Sequence, residues 1–320
     1  MNGAKLKYKE FCKTEKNLPI YLQDWWLNKV CGENNWDVVI VEKGGEIWGV
    51  LPFYKKKEFI FDVITMPSIT QFMGPYIKYP KNLKKYSTRL GWQKKIMYEL
   101  IDKLPKFDIF NQNFSFQITN WLPFFWKGFN QYTRYTYILE NQSIEKIEQN
   151  FENDIRRRMK KSLNAGVKVI KNDDVKTLYE LTKATFESKN EKVPYSLEFL
   201  ESLFNEIKNN NSGHINLAVD ENGNVLYVNL LVYDNNMVYY ILGSSNPSFK
   251  DIGAIDLTLY ESIKFAVDTN RDFNFVGSVI ESIEKYFRSF GGKQVPYFNI
   301  YKSNSKFWKF YSFFKNKVHK

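Results

Sequence analysis

Histidine is nearly absent from this 320-residue chain, which has only His214 and His319. A Ser-His-Asp or Cys-His mechanism would therefore rest on His214 alone, in the segment SGHINLAV where it begins a strand, and histidine-built zinc chemistry is excluded. Two cysteines, Cys12 and Cys31, are too few for a metal cluster, and a disulfide between them is not expected in a reducing compartment. No apolar run reaches the roughly 18 to 20 residues of a membrane span. The N-terminus, MNGAKLKYKEFCKTEKN, is charged and has no apolar signal core, so the cytoplasm is the expected compartment. Chemistry is left to carboxylates, Tyr, Lys, Arg, backbone N–H groups or the nucleophile of the substrate itself.

What the chain has in quantity is apolar and aromatic surface, 43% and 18% of its residues, which is enough for a substantial core in one large domain or two ordinary ones. Its formal net charge is +11, concentrated in DIRRRMKKSLNAGVKV (154–169) and in the tail from Lys302. Such a chain attracts phosphates, whether on a coenzyme, a nucleotide sugar, an anionic lipid or a nucleic acid, and charge does not choose among them.

The order of elements repeats. DVVIVEKGGEIWGVLPF (37–53) alternates about Gly44-Gly45 and reads as a hairpin, and HINLAVDENGNVLYVNLLV (214–232) has the same form about Asn222-Gly223. Each hairpin is followed by a helix (about 88–104 and 254–267), a strand (FDIFNQNFSF and DFNFVGSV), a short helix (WLPFFWKGF and SIEKYFRSFGG) and a closing strand (TRYTYIL and VPYFNI). Aligning Gly74 with Gly243 and Gly128 with Gly291 gives nearly equal offsets, so only short insertions separate the copies. The expected fold is α/β (α+β), with two tandem domains of one kind, residues 1–142 and 143–320, each a twisted mixed sheet flanked by helices. Between the halves, Ile144, Ile147, Phe151, Ile155, Met159 and Leu163 form one apolar stripe, which predicts a single helix over 143–165 with Gly166 just beyond its end. Most of its basic residues suit a solvated face, while Arg156 and Lys160 share a side that could clamp a phosphate.

The copies differ where a phosphate would bind. In 241–300 a strand runs into GSSNPSFKDIGA, with small residues just before a helix, so backbone N–H groups could hold a pyrophosphate; the first half has no glycine at the matching turn. Ser244, Lys250, Gly253 and Ala254 are the candidate donor-binding residues. The structural alternative for Gly253-Ala254 is close helix-sheet packing.

Taken in order, DIRRRMKKSLNAGVKV, the hairpin about Asn222-Gly223, GSSNPSFKDIGA, FNFVGS and FRSFGGKQVPYF resemble the Fem-type acyltransferases of the GNAT superfamily, and LPIYLQDWWLNKV with MPSITQFMGPYI extends the resemblance to the first half. The resemblance implies two GNAT-like domains, an acyl donor in the second, and an acceptor that would meet Gln71 and Tyr76 of the first. It implies acetyl-CoA or another acyl-CoA as co-substrate and no metal, with aminoacyl-tRNA as the alternative donor. Two departures bear on the donor. Phe287 stands where the peptidoglycan ligases of this group carry a lysine, and Ile255 ends what would be an acetyl-CoA loop.

Acyl transfer to an amine needs a proton acceptor and a stabilised oxyanion. Glu281 is the preferred base, with Glu284 three residues on; both could equally be exposed carboxylates paired with Lys285 or Arg288. Tyr297 could protonate a departing thiolate, although VPYF also reads as a half-buried strand. Arg288 could bind a donor or acceptor phosphate. The expected acceptor is an amino group of an envelope sugar, nucleotide sugar or peptidoglycan precursor, free or lipid-linked. In the tail, Phe307, Phe310 and Phe314 share a helical face among lysines, which suits either docking on the domain or a membrane surface. A reading of another class, non-catalytic binding of glycan or nucleic acid on a degenerate fold, is weakened because the aromatics mostly alternate within strands instead of interleaving with Arg and Lys.

Overall fold

The computed structural model describes residues 3–250, 252–277 and 279–308. The chain forms two compact units, Met1–Arg134 with Pro296–Lys320, and Tyr135–Val295.

The first part of the chain runs α1 (Gly3–Thr14), α2 (Asp24–Cys31), β1 (Trp36–Lys43), β2 (Glu46–Glu58), β3 (Phe61–Thr65), β4 (Tyr76–Ile77), α3 (Tyr86–Asp102), β5 (Ile109–Asn113), α4 (Leu122–Trp126) and β6 (Asn130–Leu139). The β1–β2 hairpin turns at Gly44-Gly45 as its alternation predicts. β3 adds antiparallel to β2 and parallel to β5, giving a mixed sheet. α3 turns Ile96, Met97 and Leu100 inward onto Val41, Leu51, Ile64 and Phe110, which form the core of this unit.

The remainder runs α5 (Ile144–Gln149), α6 (Asn153–Asn164), β7 (Lys168–Asn172), α7 (Val175–Glu187), α8 (Leu197–Asn209), β8 (Gly213–Val219), β9 (Val225–Tyr233), β10 (Met237–Ser245), α9 (Ala254–Asp268), β11 (Asp272–Asn274), α10 (Glu281–Arg288) and β12 (Lys293–Ser303). Strands β7 to β10 pair antiparallel in sequence order, and β10 pairs parallel with β11. The predicted repetition is present: an antiparallel hairpin, a third strand, a helix, a parallel strand, a short helix and a closing strand.

The units differ from the division expected between residues 142 and 143, because the closing strands are exchanged. β6 ends the first half, yet its residues from Tyr135 belong to the second unit, where Ile138 and Leu139 pair with Asn274 and Phe273 of β11. β12 ends the second half, yet from Pro296 it belongs to the first unit, where it pairs with β5 from Asn299↔Asn113 to Ser303↔Ile109. Sequence order alone does not reveal such an exchange, since each strand is compatible with either sheet.

The single helix expected over 143–165 is two helices. Glu152 is extended at the start of α6, and its N–H donates to the Ser289 carbonyl (2.9 Å), which interrupts the helical ladder. The apolar stripe survives the break, because Ile147, Phe151 and Ile155 all enter one core with Leu259, Ile263, Phe275 and Phe290, while Leu163 is exposed. Gly166 follows α6 in the left-handed conformation, as its position past a helix end predicts. The strand expected over DFNFVGSV is limited to Asp272–Asn274. Among the described residues, no helix is long and apolar enough to cross a membrane.

Candidate active site

A cleft opens in the second unit where two parallel strands part. β10 and β11 pair only over Met237–Tyr239 and Asp272–Asn274; β10 then continues to Ser245 while β11 stops. In mixed α/β sheets, an opening at the carboxyl ends of diverging parallel strands is where ligands enter. Here it has a volume of about 500 Å³, bordered by Tyr227, Tyr240, Ser244, Val276, Tyr286 and Phe287. Register with β9 shifts between Tyr240 and Leu242, so Ile241 is an extra residue in β10 and lies on the cleft wall.

The wall after β11 is held in a strained form. Val276 has φ +66°, a costly conformation for a β-branched residue. The buried Asn274 side chain fixes it, since Oδ1 accepts both the Val276 N–H (2.8 Å) and the Thr136 hydroxyl (2.6 Å).

On the opposite wall, the hydroxyls of Tyr227 and Tyr240 lie 2.5 Å apart. Burial pushes both phenols up, Tyr240 to about 12 and Tyr227 further, so both stay neutral donors at ordinary pH. Gly243 makes room for the pair: a Cβ at that position would stand 2.0 Å from the Tyr240 oxygen and 2.2 Å from that of Tyr227. Ser244 is buried beside them, its hydroxyl donating to Thr182 of α7 (3.3 Å).

Behind the cleft, the start of α9 carries its own anion. Asp256, only 2% exposed, lies in the first turn of the helix and accepts Arg158 Nε (2.9 Å), Arg158 Nη2 (3.1 Å) and the Tyr286 hydroxyl (3.1 Å). Burial raises the Tyr286 phenol, as does the neighbouring Asp256 carboxylate. The hydrogen bond to Asp256 raises the Arg158 guanidinium further. Tyr286 also borders a second hollow of about 610 Å³ between α6 and α10, where Arg158, Lys285 and Arg288 alternate with Glu152 and Asp154.

The residues predicted from sequence fall in several places. Ser244 borders the cleft. Gly253 has φ +90° at the start of α9, and a Cβ there would stand 2.2 Å from the Arg158 carbonyl, so with buried Ala254 it lets α9 pack closely on α6, a helix instead of the expected sheet. Lys250 is exposed in the preceding loop. Glu281 is exposed in the first turn of α10 and borders neither hollow. Glu284 accepts the Tyr137 hydroxyl and pairs with Arg288 (3.1 Å), and the Tyr137 hydrogen bond, before all else, holds its carboxyl below the usual range. Arg288 borders the second hollow, not the cleft.

Arg156 is exposed on α6 and borders neither hollow; its Nη2 donates to the carbonyls of Glu148 (2.9 Å) and Gln149 (3.0 Å) at the end of α5. Lys160 is exposed on α6 and borders neither hollow. Tyr297, expected beside the donor, belongs to the first unit because β12 crosses into it; its buried hydroxyl accepts Gln71 Nε2 (2.8 Å) and its ring meets Phe72 edge-on. Tyr76 is placed elsewhere in that unit, on β4 against Phe11. Phe287, at the lysine position of the peptidoglycan ligases, stacks on Phe275 at 5.2 Å. His214 is buried in β8 against Phe265, with Nε2 unpartnered among the described residues and a pKa lowered to about 4, chiefly by burial. The tail residues Phe310 and Phe314 lie outside the described residues.

Sequence reasoning did not single out Tyr227, Tyr240, Tyr286, Arg158 or Asp256. Asp256 did leave a signal, as a lone carboxylate in the otherwise apolar GAIDLTL.

Residues 149–288 match the family model for the acetyltransferase (GNAT) domain. FemX is similar over 93% of this chain and 96% of its own, with 15% identity and a TM-score of 0.67. A conserved protein of unknown function from Bacteroides thetaiotaomicron is similar over 93% and 97%, with 9% identity and a TM-score of 0.56. The C-terminal domain of a putative lysylphosphatidylglycerol synthetase from Agrobacterium fabrum is similar over 86% of each chain, with 9% identity and a TM-score of 0.52. No curated protein matches the sequence. The family match covers residues 149–288 alone, and the likeness to FemX, at 15% identity, is one of fold.

Proposed function

We propose that the cleft between β10 and β11 transfers an acyl group from an activated ester to an amino group of an envelope sugar, nucleotide sugar or peptidoglycan precursor by direct attack. The observation that carries this reading is the buried Tyr227–Tyr240 pair on the cleft wall. Its phenols stay protonated, so one can donate to the carbonyl oxygen as it gains charge. No carboxylate borders the cleft among the described residues, so the amine sheds its proton to water or to the departing group instead of to a fixed base.

Acyl-CoA is the donor expected from sequence, and the GNAT fold suits it in general. Aminoacyl-tRNA is the alternative, and Phe287, at the lysine position of the peptidoglycan ligases, counts against it. The acceptor class, an envelope component, is the one expected from sequence, and the name of one fold neighbour, a putative lysylphosphatidylglycerol synthetase, is in keeping with it.

The test is a mass-spectrometric transfer assay on an amine acceptor, run in parallel with acetyl-CoA and with charged tRNA. Product from acetyl-CoA is expected, with thermal stabilisation by free CoA. Product from charged tRNA alone overturns the donor assignment while leaving the cleft in place. No product with either donor, together with stabilisation by oligonucleotide or glycan, moves the chain to the binding class.

A further inference from the structure

The tip of the β2–β3 hairpin in the first unit is built against the rules for a turn. The two connecting residues are Phe59 and Ile60, where tight hairpins favour Asn, Asp and Gly. Phe59 has φ +57°, a left-handed conformation that is costly for a bulky side chain. Neither side chain is placed for burial: Phe59 is 77% exposed and Ile60 65% exposed. Close to this hairpin, Trp308 packs edge-on against Phe61 at 5.2 Å, and its neighbour Phe307 is 76% exposed. Directly before the tip, β2 carries Lys55, Lys56 and Lys57, all exposed. Lys57 pairs with Asp62 (3.0 Å) at a position open to solvent, where such pairs are weak and readily exchanged, and Lys56 pairs with the half-buried Glu58 (3.4 Å).

We propose that this hairpin tip docks the protein on an anionic membrane surface, with Phe59 and Ile60 entering the acyl boundary and Lys55 to Lys57 meeting acidic headgroups. A protein partner would supply a shaped groove for two bulky apolar side chains. A bilayer needs no shape, and it fits the pattern of an apolar tip with a cationic collar better. The basic charge of the whole chain acts in the same direction, since it draws the protein to an acidic leaflet before any side chain enters it. The proposal is independent of the donor and acceptor assigned to the cleft. It also differs from the expectation for the C-terminal tail, because it rests on a turn within the first unit.

The experiment is co-sedimentation of the full chain with vesicles of phosphatidylcholine alone and of phosphatidylcholine mixed with phosphatidylglycerol. Binding is expected to the mixed vesicles and to weaken with salt. Phe59→Asn/Ile60→Ser should lower the partition coefficient by about tenfold or more, from the lost apolar burial. Asn tolerates the left-handed conformation, so this variant should melt at or above the wild-type temperature, which separates membrane binding from folding. Lys55→Gln/Lys56→Gln/Lys57→Gln should lower partitioning by about tenfold on mixed vesicles and far less on phosphatidylcholine. Unchanged partitioning of Phe59→Asn/Ile60→Ser overturns the proposal, as does absence of binding to either vesicle. So does a wild-type dimer in sedimentation velocity that this variant abolishes, since the tip would then serve a second copy of the chain.

Discussion

Arg158 holds the carboxylate of Asp256 at two points, Nε to Oδ2 at 2.9 Å and Nη2 to Oδ1 at 3.1 Å. The aspartate is almost wholly buried in the first turn of α9 and the arginine about a third exposed on α6, so one ion pair fastens the two helices behind the cleft. Removing one partner strands the other. Arg158→Leu should cost about 3 kcal/mol in urea denaturation by leaving Asp256 buried without its cation. The double variant Arg158→Leu/Asp256→Leu should regain a good part of that loss, because an apolar pair needs no compensation. A double variant no more stable than the single one would mean that helix packing, not charge, accounts for the cost.

The tyrosine pair gives a prediction about turnover. Tyr240→Phe removes one hydroxyl of the pair and should lower kcat by about 10²-fold, the loss typical of one oxyanion donor, with little change in melting temperature. Tyr227→Phe should cost less, since it removes only the group that orients Tyr240. Gly243→Ala should reproduce the Tyr240→Phe defect without touching either phenol, because its Cβ takes the space of both oxygens. Equal turnover in Gly243→Ala and wild type would detach the pair from the reaction.

Much of the fold was legible because its signals are local. The turns at Gly44-Gly45 and Asn222-Gly223, the starts of α9 and α10, and the left-handed Gly166 each follow from a few neighbouring residues. The exchange of β6 and β12 was not legible, because strand partners far apart in sequence are chosen in three dimensions. The site was read less well for the same reason. Acidic residues near a strand end drew attention to Glu281, whereas the cleft is bordered by tyrosines on two strands and a helix. Tyr227 and Tyr240 look like ordinary strand aromatics, and only the space at Gly243 shows that their hydroxyls converge. At Gly253 the group in close approach is the Arg158 carbonyl, which lies far off in the sequence and leaves no local signal.

Glu281 therefore carries a prediction opposite to its apparent promise. It is exposed at the start of α10 and borders neither hollow. Glu281→Gln should leave kcat and KM within about twofold of wild type, as for most surface substitutions away from a site. A fall of tenfold or more in kcat, with an intact melting curve, would restore Glu281 to the chemistry.

His214 makes stability depend on pH. Burial in β8, with Lys171 and Lys208 nearby, lowers its folded pKa from 6.5 to about 4. In the folded protein the ring stays neutral, whereas in the unfolded chain it accepts a proton near its ordinary value. The unfolded state thus binds more protons between these values, and stability rises with pH there. The contribution is complete above about pH 6.5 and is lost as pH falls through about 4, a total of the order of 3 kcal/mol. His214→Phe keeps a ring against Phe265 and removes the proton site. Its unfolding free energy, measured by urea titration from pH 7 to pH 4, should fall less steeply than that of wild type. Parallel slopes would show that carboxylates, not His214, set the acid limit.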